Sequence, residues 1–271
     1  MEKMKQVFYI LLVLLICSGD SSTMHAQRNV QEYQLVFSDE FNQPDGSMPD
    51  ETKWSVHERQ QCTWARWISA SPKVRYIHRG SLVCRAIPNT AEPSDTARML
   101  TGAICSMGKF EFQYGKVEVR MKTNRKQGNF PAAWMVREDC NTTYGEIDIV
   151  ETFGKKKMAS HAIHSQYTYH HDNHRIKNVF QEEVDVTKWH VYGIEWTPTS
   201  VRWEVDGRTV GFFMKPDDAR KLDEGQWTFD HPFYLILNQS VGNGEYGNIG
   251  NPRQTYETRF DWIRVYQKKT N

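Results

Sequence analysis

From residue 33 onward the chain is built from short runs in which apolar and polar residues alternate, each closed by turn-forming residues. YQLVFSDEF (33–41), SLVCRAI (81–87), GKFEFQYGKVEVRMKT (108–123), GEIDIVETF (145–153), WHVYGIEWT (189–197), VRWEVDGRTVGFF (201–213), FYLILNQS (233–240) and FDWIRVY (260–266) all read this way. A period of two puts successive side chains on opposite faces of a pleated strand. Many such runs with almost no helical pattern between them predict packed antiparallel sheets. At Asp206-Gly207 two β-rich flanks meet at a dipeptide suited to a type I′ turn, so 201–213 is expected as a hairpin. The segment 108–123 is expected as two strands turning at Tyr114-Gly115. Only KPDDARKLDEG (215–225) hints at a helix, and it is short. With no repeat, low-complexity stretch or linker, the expectation is one all-β domain, an antiparallel β-sandwich. A chain of 271 residues is long enough to stand on its own core.

Several function classes drop out early. The formal net charge is +1, which supplies no field for nucleic acid or an anionic membrane. The run Lys155-Lys156-Lys157 reads as a solvated turn. There is no Gly-rich phosphate loop, no Ser-His-Asp arrangement and no C-x-x-C site. The 9 Trp, 12 Tyr and 13 Phe suit strands and cores, and some could serve as flat platforms for sugars. Before the first strand, MEKMKQVFYILLVLLICSG combines two lysines, an apolar run from Val7 to Cys17 and small polar residues. It is too short and wrongly flanked for a spanning helix and reads as a secretory signal over 1–26, cleaved after Ala26. Lipidation at Cys17 is the alternative. Either implies export, with residues 27–271 as the mature domain. Cys62, Cys84, Cys105 and Cys140 then remain, as disulfides in one of three pairings or as buried thiols.

One strand carries too many acids. In GEIDIVETFG (145–154), Glu146 and Asp148 share a face while Ile147 and Ile149 take the other. Strict alternation would send Val150 to the acidic face and Glu151 away from it. A one-residue β-bulge near Ile149-Val150 would restore the phase and bring Glu151 beside the other two acids. Glu146 and Glu151 would then sit roughly 13 Å apart at Cα by strand rise, within reach of the ~5–5.5 Å carboxyl separation of retaining glycosidases. Three carboxylates so close cannot all ionise freely, so at least one pKa should rise. A solvated acidic edge strand and a calcium site would also cluster carboxylates. The strand's apolar flanks argue that it is central.

These residues resemble glycoside hydrolase family 16, the jelly-roll (concanavalin-like) laminarinases, lichenases, agarases and their relatives. The E-x-D-x-x-E pattern of that family stands here as Glu146-Ile147-Asp148-Ile149-Val150-Glu151. LVFSDEFN (35–42) looks like its first strand and GKFEFQYGKVEVRMKT like the hairpin before the acidic strand. GNFPAAWMV (128–136) is similar to its G-x-W-P-A-F-W segment, and WHVYGIEWTPTSVRWEVDG and FDWIRVYQ match later strands. The resemblance implies an open substrate cleft with Glu146 as nucleophile, Glu151 as general acid/base and Asp148 as the group that orients and tunes the nucleophile. It implies that Trp134 lines the subsite beside the cleavage point and that His164 contacts the acid/base or the leaving sugar. Arg120 is carried as a cleft candidate, and Trp64, Trp67 and Trp227 as stacking candidates. Two departures alter the expected cleft wall, Phe130 for the first Trp of that segment and Ala133 for its Phe, giving more room. CNTTYGE (140–146) replaces a Trp-Pro found in many laminarinases, and Tyr144 could supply the missing platform.

The expected activity is secreted retaining endo-hydrolysis of a β-linked polysaccharide, a β-1,3- or mixed-linkage β-1,3/1,4-glucan. A galactan or host O-glycan handled by the same machinery, or a non-catalytic carbohydrate-binding protein, are the alternatives. No cofactor is implied, no metal at the site, and a monomer is expected; a structural calcium away from the site is left open. HSQYTYHHDNH (164–174) suggests zinc through His170, His171 and His174, but nothing in the pattern converges them, so a polar loop beside the cleft is preferred.

Overall fold

The structure, a computed structural model, describes residues 33–90, 94–137, 143–170, 176–244 and 248–269. The signal segment, Cys17, Cys140, His171 and His174 lie outside these residues.

In chain order the strands are β1 (Tyr33–Asp39), β2 (Ser55–Val56), β3 (Arg75–Ile77), β4 (Leu82–Pro88), β5 (Met99–Thr101), β6 (Ala103–Cys105), β7 (Gly115–Thr123), β8 (Asn129–Val136), β9 (Gly145–Thr152) and β10 (Met158–Ser165). They continue as β11 (Val179–Glu183), β12 (His190–Thr197), β13 (Ser200–Val205), β14 (Arg208–Met214), β15 (Tyr234–Val241) and β16 (Tyr256–Lys268), with two one-turn helices, α1 (Gln166–His170) and α2 (Ala219–Asp223). They form two antiparallel sheets. One runs β14-β13-β12-β7-β16-β4-β3, with β1 also on β16 and β5 on β4; the other runs β11-β10-β9-β8-β15-β6-β2. The acidic strand β9 is therefore interior to its sheet, between β8 and β10, and not a solvated edge.

Alternation explains the layering. From the first sheet Val117, Val119, Met121, Ile194, Trp196, Val201, Trp203, Phe260, Ile263 and Val265 point inward; from the second come Ala133, Met135, Ile147, Ile149, Ala159, Ile163, Leu235 and Leu237. Each large apolar side chain fully buried here contributes about 1.5–3 kcal/mol. The other face of the second sheet is also apolar in part: Cys105, Ala132, Trp134, Val136, Tyr234 and Ile236 form a cluster capped by Trp64 and Met107. That face carries the cleft.

At one end a buried polar clamp ties the sheets together. The Gln239 amide of β15 donates to Asn129 Oδ1 of β8 at 2.9 Å, and its carbonyl accepts from Thr258 Oγ1 of β16 at 2.7 Å. Thr258 and Thr123 of β7 share a hydroxyl bond of 2.7 Å, and Asn129 Nδ2 donates back to Thr123 at 3.0 Å. All four side chains are buried.

Most local expectations hold. Asp206 and Gly207 both take positive φ, 49° and 76°, as a type I′ turn needs, and β13 pairs with β14 across them. The helix hint becomes α2, capped by Asp218. Cys84 and Cys105 are buried free thiols as allowed for, whereas Cys62, also free, is exposed. The hairpin at Tyr114-Gly115 is a correction: β7 begins at Gly115, and upstream only Phe112 bridges, to Phe233. This segment carries the chain from one sheet to the other. Phe110 and Tyr114 serve packing rather than pairing, with Phe110 stacked on Phe37 at 4.3 Å and Tyr114 edge-on to Trp196 at 5.2 Å.

Replacing Gln239 with Leu would keep much of the volume but strand the partners of its amide. Because each unsatisfied buried polar group costs about 1–3 kcal/mol, Gln239→Leu should lose at least ~2 kcal/mol in urea unfolding.

Candidate active site

The parity problem of the acidic strand is solved by a bulge. Against β8, Ala133 pairs with Val150 and Trp134 with Asp148, leaving Ile149 as the extra residue. Against β10, Ser160 pairs with Glu151 and Ala162 with Asp148, so the single residue His161 spans the same gap. Ile149 and Val150 are both buried in the core, and Glu151 returns to the face of Glu146 and Asp148.

A bulge frees backbone groups from the ladder, and two core side chains take them up. The Ile149 carbonyl lies 2.6 Å from His161 Nδ1. A carbonyl only accepts, so Nδ1 carries the proton. Burial pushes the imidazole down to about 4, keeping it neutral. From the opposite sheet, Trp203 Nε1 donates to the Asp148 carbonyl at 2.8 Å. His161 and Trp203 were not anticipated as site residues. The available signal was a histidine in phase with inward-facing Ala159 and Ile163.

Trp64, Phe130, Ala132, Trp134, Glu146, Asp148, Glu151, His164 and Asn238 line a pocket of about 190 Å³. Trp134 donates to Asn238 Oδ1 at 2.8 Å, Asn238 donates to Ser240 Oγ at 2.8 Å, and Ser240 donates to the Trp64 carbonyl at 2.7 Å. That relay sets Trp64 edge-on to Trp134, with ring centroids 4.8 Å apart. Phe130 stacks on Phe153 at 5.5 Å.

The carboxylates are strongly interacting. Asp148 is buried, and its Oδ2 makes no hydrogen bond; His164 Nε2 lies 3.4 Å from it. His164 Nε2 also faces Glu146 Oε1 at 3.8 Å. The Tyr144 hydroxyl donates to Glu146 Oε2. Burial first, and the Asp148 charge second, push Glu146 up to about 7, with His164 and the Tyr144 hydrogen bond pulling the other way. The rise expected among the acids thus falls on Glu146. Among the described residues, Glu146, Asp148 and His164 bring potential ligand atoms within 4.8 Å of one another, a constellation that could also hold a cation.

Other candidates are not brought here. Arg120 stands on β7 in the other sheet, paired with Asp261 and lying over Trp189. Trp67 packs on the cluster of Ala86, Met99, Val241 and Tyr256 and lies under the Arg66 guanidinium. Trp227 is a core residue stacked on Phe213. Ala133, expected to widen the cleft wall, faces the core; Ala132 is the residue that faces the cleft.

The profile of glycosyl hydrolases family 16 matches residues 76–264. The chain is 33% identical over 242 residues to a keratan-sulfate endo-1,4-β-galactosidase of Sphingobacterium multivorum, covering 87% of this chain and 56% of that protein. It is 29% identical to a β-glucanase of Rhodothermus marinus, covering 98% of this chain and 96% of that one. The fold superposes on the laminarinase catalytic domain of Thermotoga maritima with a TM-score of 0.73 at 26% identity, covering 89% of this chain and all of that one.

Two outcomes follow from the geometry. His161→Leu leaves the Ile149 carbonyl unpaired, so unfolding free energy should fall by about 1–3 kcal/mol, and kcat on a cleaved polysaccharide should fall more than KM rises. Between its ordinary 4.5 and about 7, Glu146 holds a proton in the folded state that the unfolded chain releases. Its contribution therefore favours folding at low pH and is lost as pH rises through about 7. Glu146→Gln should accordingly raise Tm more at pH 8 than at pH 4.5, as read by thermal unfolding at both.

Proposed function

The chain belongs to glycosyl hydrolase family 16, and on that premise we propose that it is an exported, retaining endo-glycosidase of β-linked polysaccharide. The observation that carries this reading is the placement of Glu146, Asp148 and Glu151 on one face of a bulged strand, in a pocket walled by Trp64, Phe130 and Trp134. In the first step Glu151 gives its proton to the glycosidic oxygen as that oxygen leaves with the bond's electron pair. Glu146 forms the bond to the anomeric carbon, giving a glycosyl-enzyme. In the second step Glu151, now a carboxylate, takes a proton from water; the water oxygen attacks the same carbon, and Glu146 departs as carboxylate. Asp148 and His164 position the nucleophile between them. The mature domain is proposed to be residues 27–271, a monomer freed from its leader or held by lipid at Cys17.

The substrate we favour is a β-1,3- or mixed-linkage β-1,3/1,4-glucan, supported by the likeness to β-glucanases and laminarinases. A second reading, a β-linked galactan or host glycan, is favoured by the relative at 33% identity and by Phe130 in the cleft wall.

Reducing-end release from laminarin, mixed-linkage glucan, agarose, porphyran and mucin O-glycans tests both. Oligosaccharides from the two glucans, reduced by ~10³-fold or more in Glu146→Gln, are the expected result. Release only from a galactan or the O-glycans would select the second reading. Binding without release from any polymer would sink the catalytic one.

A further inference from the structure

Tyr144 is built into the site far more firmly than a sugar platform requires. It stands just before β9, two residues ahead of Glu146. Its backbone is pinned on both sides: the amide donates to Gln166 Oε1 of α1 at 2.6 Å, and the carbonyl accepts from Thr228 Oγ1 at 2.6 Å. Its ring stacks on Tyr169 of α1, with centroids 3.9 Å apart and planes 22° from parallel. Tyr169 is itself 58% exposed, so the stack adds little to the core. Three contacts, two from α1 and one from Thr228, thus fix where one hydroxyl points, and it points at Glu146 Oε2.

That carboxylate needs a donor. Glu146 keeps only 16% of its side chain exposed. Facing it are Asp148 and Glu151 from its own strand, His164 from β10, Tyr169 behind Tyr144 on α1, and the Cys62 thiol from the loop after β2. Asp148 opposes a charge on Glu146. His164 favours it only when protonated, and it is shared, lying nearer Asp148 at 3.4 Å than Glu146 at 3.8 Å. The Tyr144 hydroxyl is neutral, because burial and the Glu146 charge drive its ionisation well above the ordinary phenol range. It therefore stays a donor at every working pH.

We propose that Tyr144 is a positioning residue of the reaction: its hydroxyl ties down Oε2 of Glu146 and favours the carboxylate form, leaving Oε1 to form the bond to the anomeric carbon. This rests on the assignment of Glu146 as nucleophile. In the glycosyl-enzyme Oε2 becomes the ester carbonyl oxygen and still accepts from Tyr144. When water attacks, the electron pair of the Oε1–carbon bond returns to the carboxylate, and the tyrosine stabilises the charge as it reappears.

Tyr144→Phe removes the hydroxyl and keeps the ring and its stack. Without that donor the protonated form of Glu146 gains, so its titration midpoint must move to higher pH. A hydrogen bond to a charged group is of a size to shift the midpoint by about one pH unit or more. The infrared carboxyl band of Glu146, isolated by subtracting Glu146→Gln from the parent and Tyr144→Phe/Glu146→Gln from Tyr144→Phe, reads this without substrate. The acid limb of kcat/KM on the polymer the parent cleaves best should move by the same amount, with KM changed less than about twofold. Tyr169→Ala, which removes the stack and an edge contact to His170 but keeps the Tyr144 hydroxyl, should shift both in the same direction by less, and it carries the test if Tyr144→Phe does not fold. An unmoved midpoint and acid limb in folded Tyr144→Phe, with KM alone raised, would leave the tyrosine a platform and overturn the proposal. Parent-level activity in Glu146→Gln would instead overturn the nucleophile assignment, while the carboxyl titration still decided whether the tyrosine tunes Glu146.

Discussion

The site depends on one carbonyl leaving its ladder. The extra residue Ile149 moves Glu151 onto the face of Glu146 and Asp148, and a backbone oxygen released inside a core must find a partner. His161 provides it from the neighbouring strand, and Trp203, reaching from the opposite sheet, holds the carbonyl of Asp148. The pocket's acids are therefore positioned from behind, through the interior, by side chains that never face the cleft. Both bonds come from large buried rings whose orientation is fixed by the packing around them.

The same burial creates the electrostatic problem the site has to solve. Glu146 and Asp148 sit close together with little solvent to share their charge, and the carboxyl of Glu146 rises accordingly. The double displacement proposed above needs that group as a carboxylate. His164 and Tyr144 supply opposing influences of different kinds, one a shared charge and the other a fixed dipole. Their joint presence lowers the cost of ionising a desolvated Glu146, which the nucleophile role proposed for it requires.

Much of this was legible in the sequence, because it rests on parity. The period of two located most of the long strands, and the break in that period at Ile149-Val150 located the bulge. The acids were placed by the same logic; Trp134, His164 and Phe130 were placed by the resemblance to glycoside hydrolase family 16. What alternation cannot say is which sheet a strand joins or which way a loop folds. Arg120 has the right phase to leave the core, but it does so on the sheet without the cleft. Trp64 and Trp67 share one loop and diverge, because the Thr101 amide bonds the carbonyl of Trp67 and directs it to a different cluster. Ala133 was assigned to the wall and faces the core, as neighbours of Trp134 on a strand must. His161 escaped notice because a histidine among inward-facing residues reads as an exception until the carbonyl it serves is seen.

The aromatic walls hang from supports of their own. Trp64 and Trp134 are set by the Asn238–Ser240 relay, and Phe130 rests on Phe153. None of these supports passes through His161 or Trp203. The molecule thus separates the parts that decide which sugar fits from the parts that keep the acids in register. A chain built this way can exchange its walls, one loop or one ring at a time, and try new polymers while the bond-breaking apparatus stays in place.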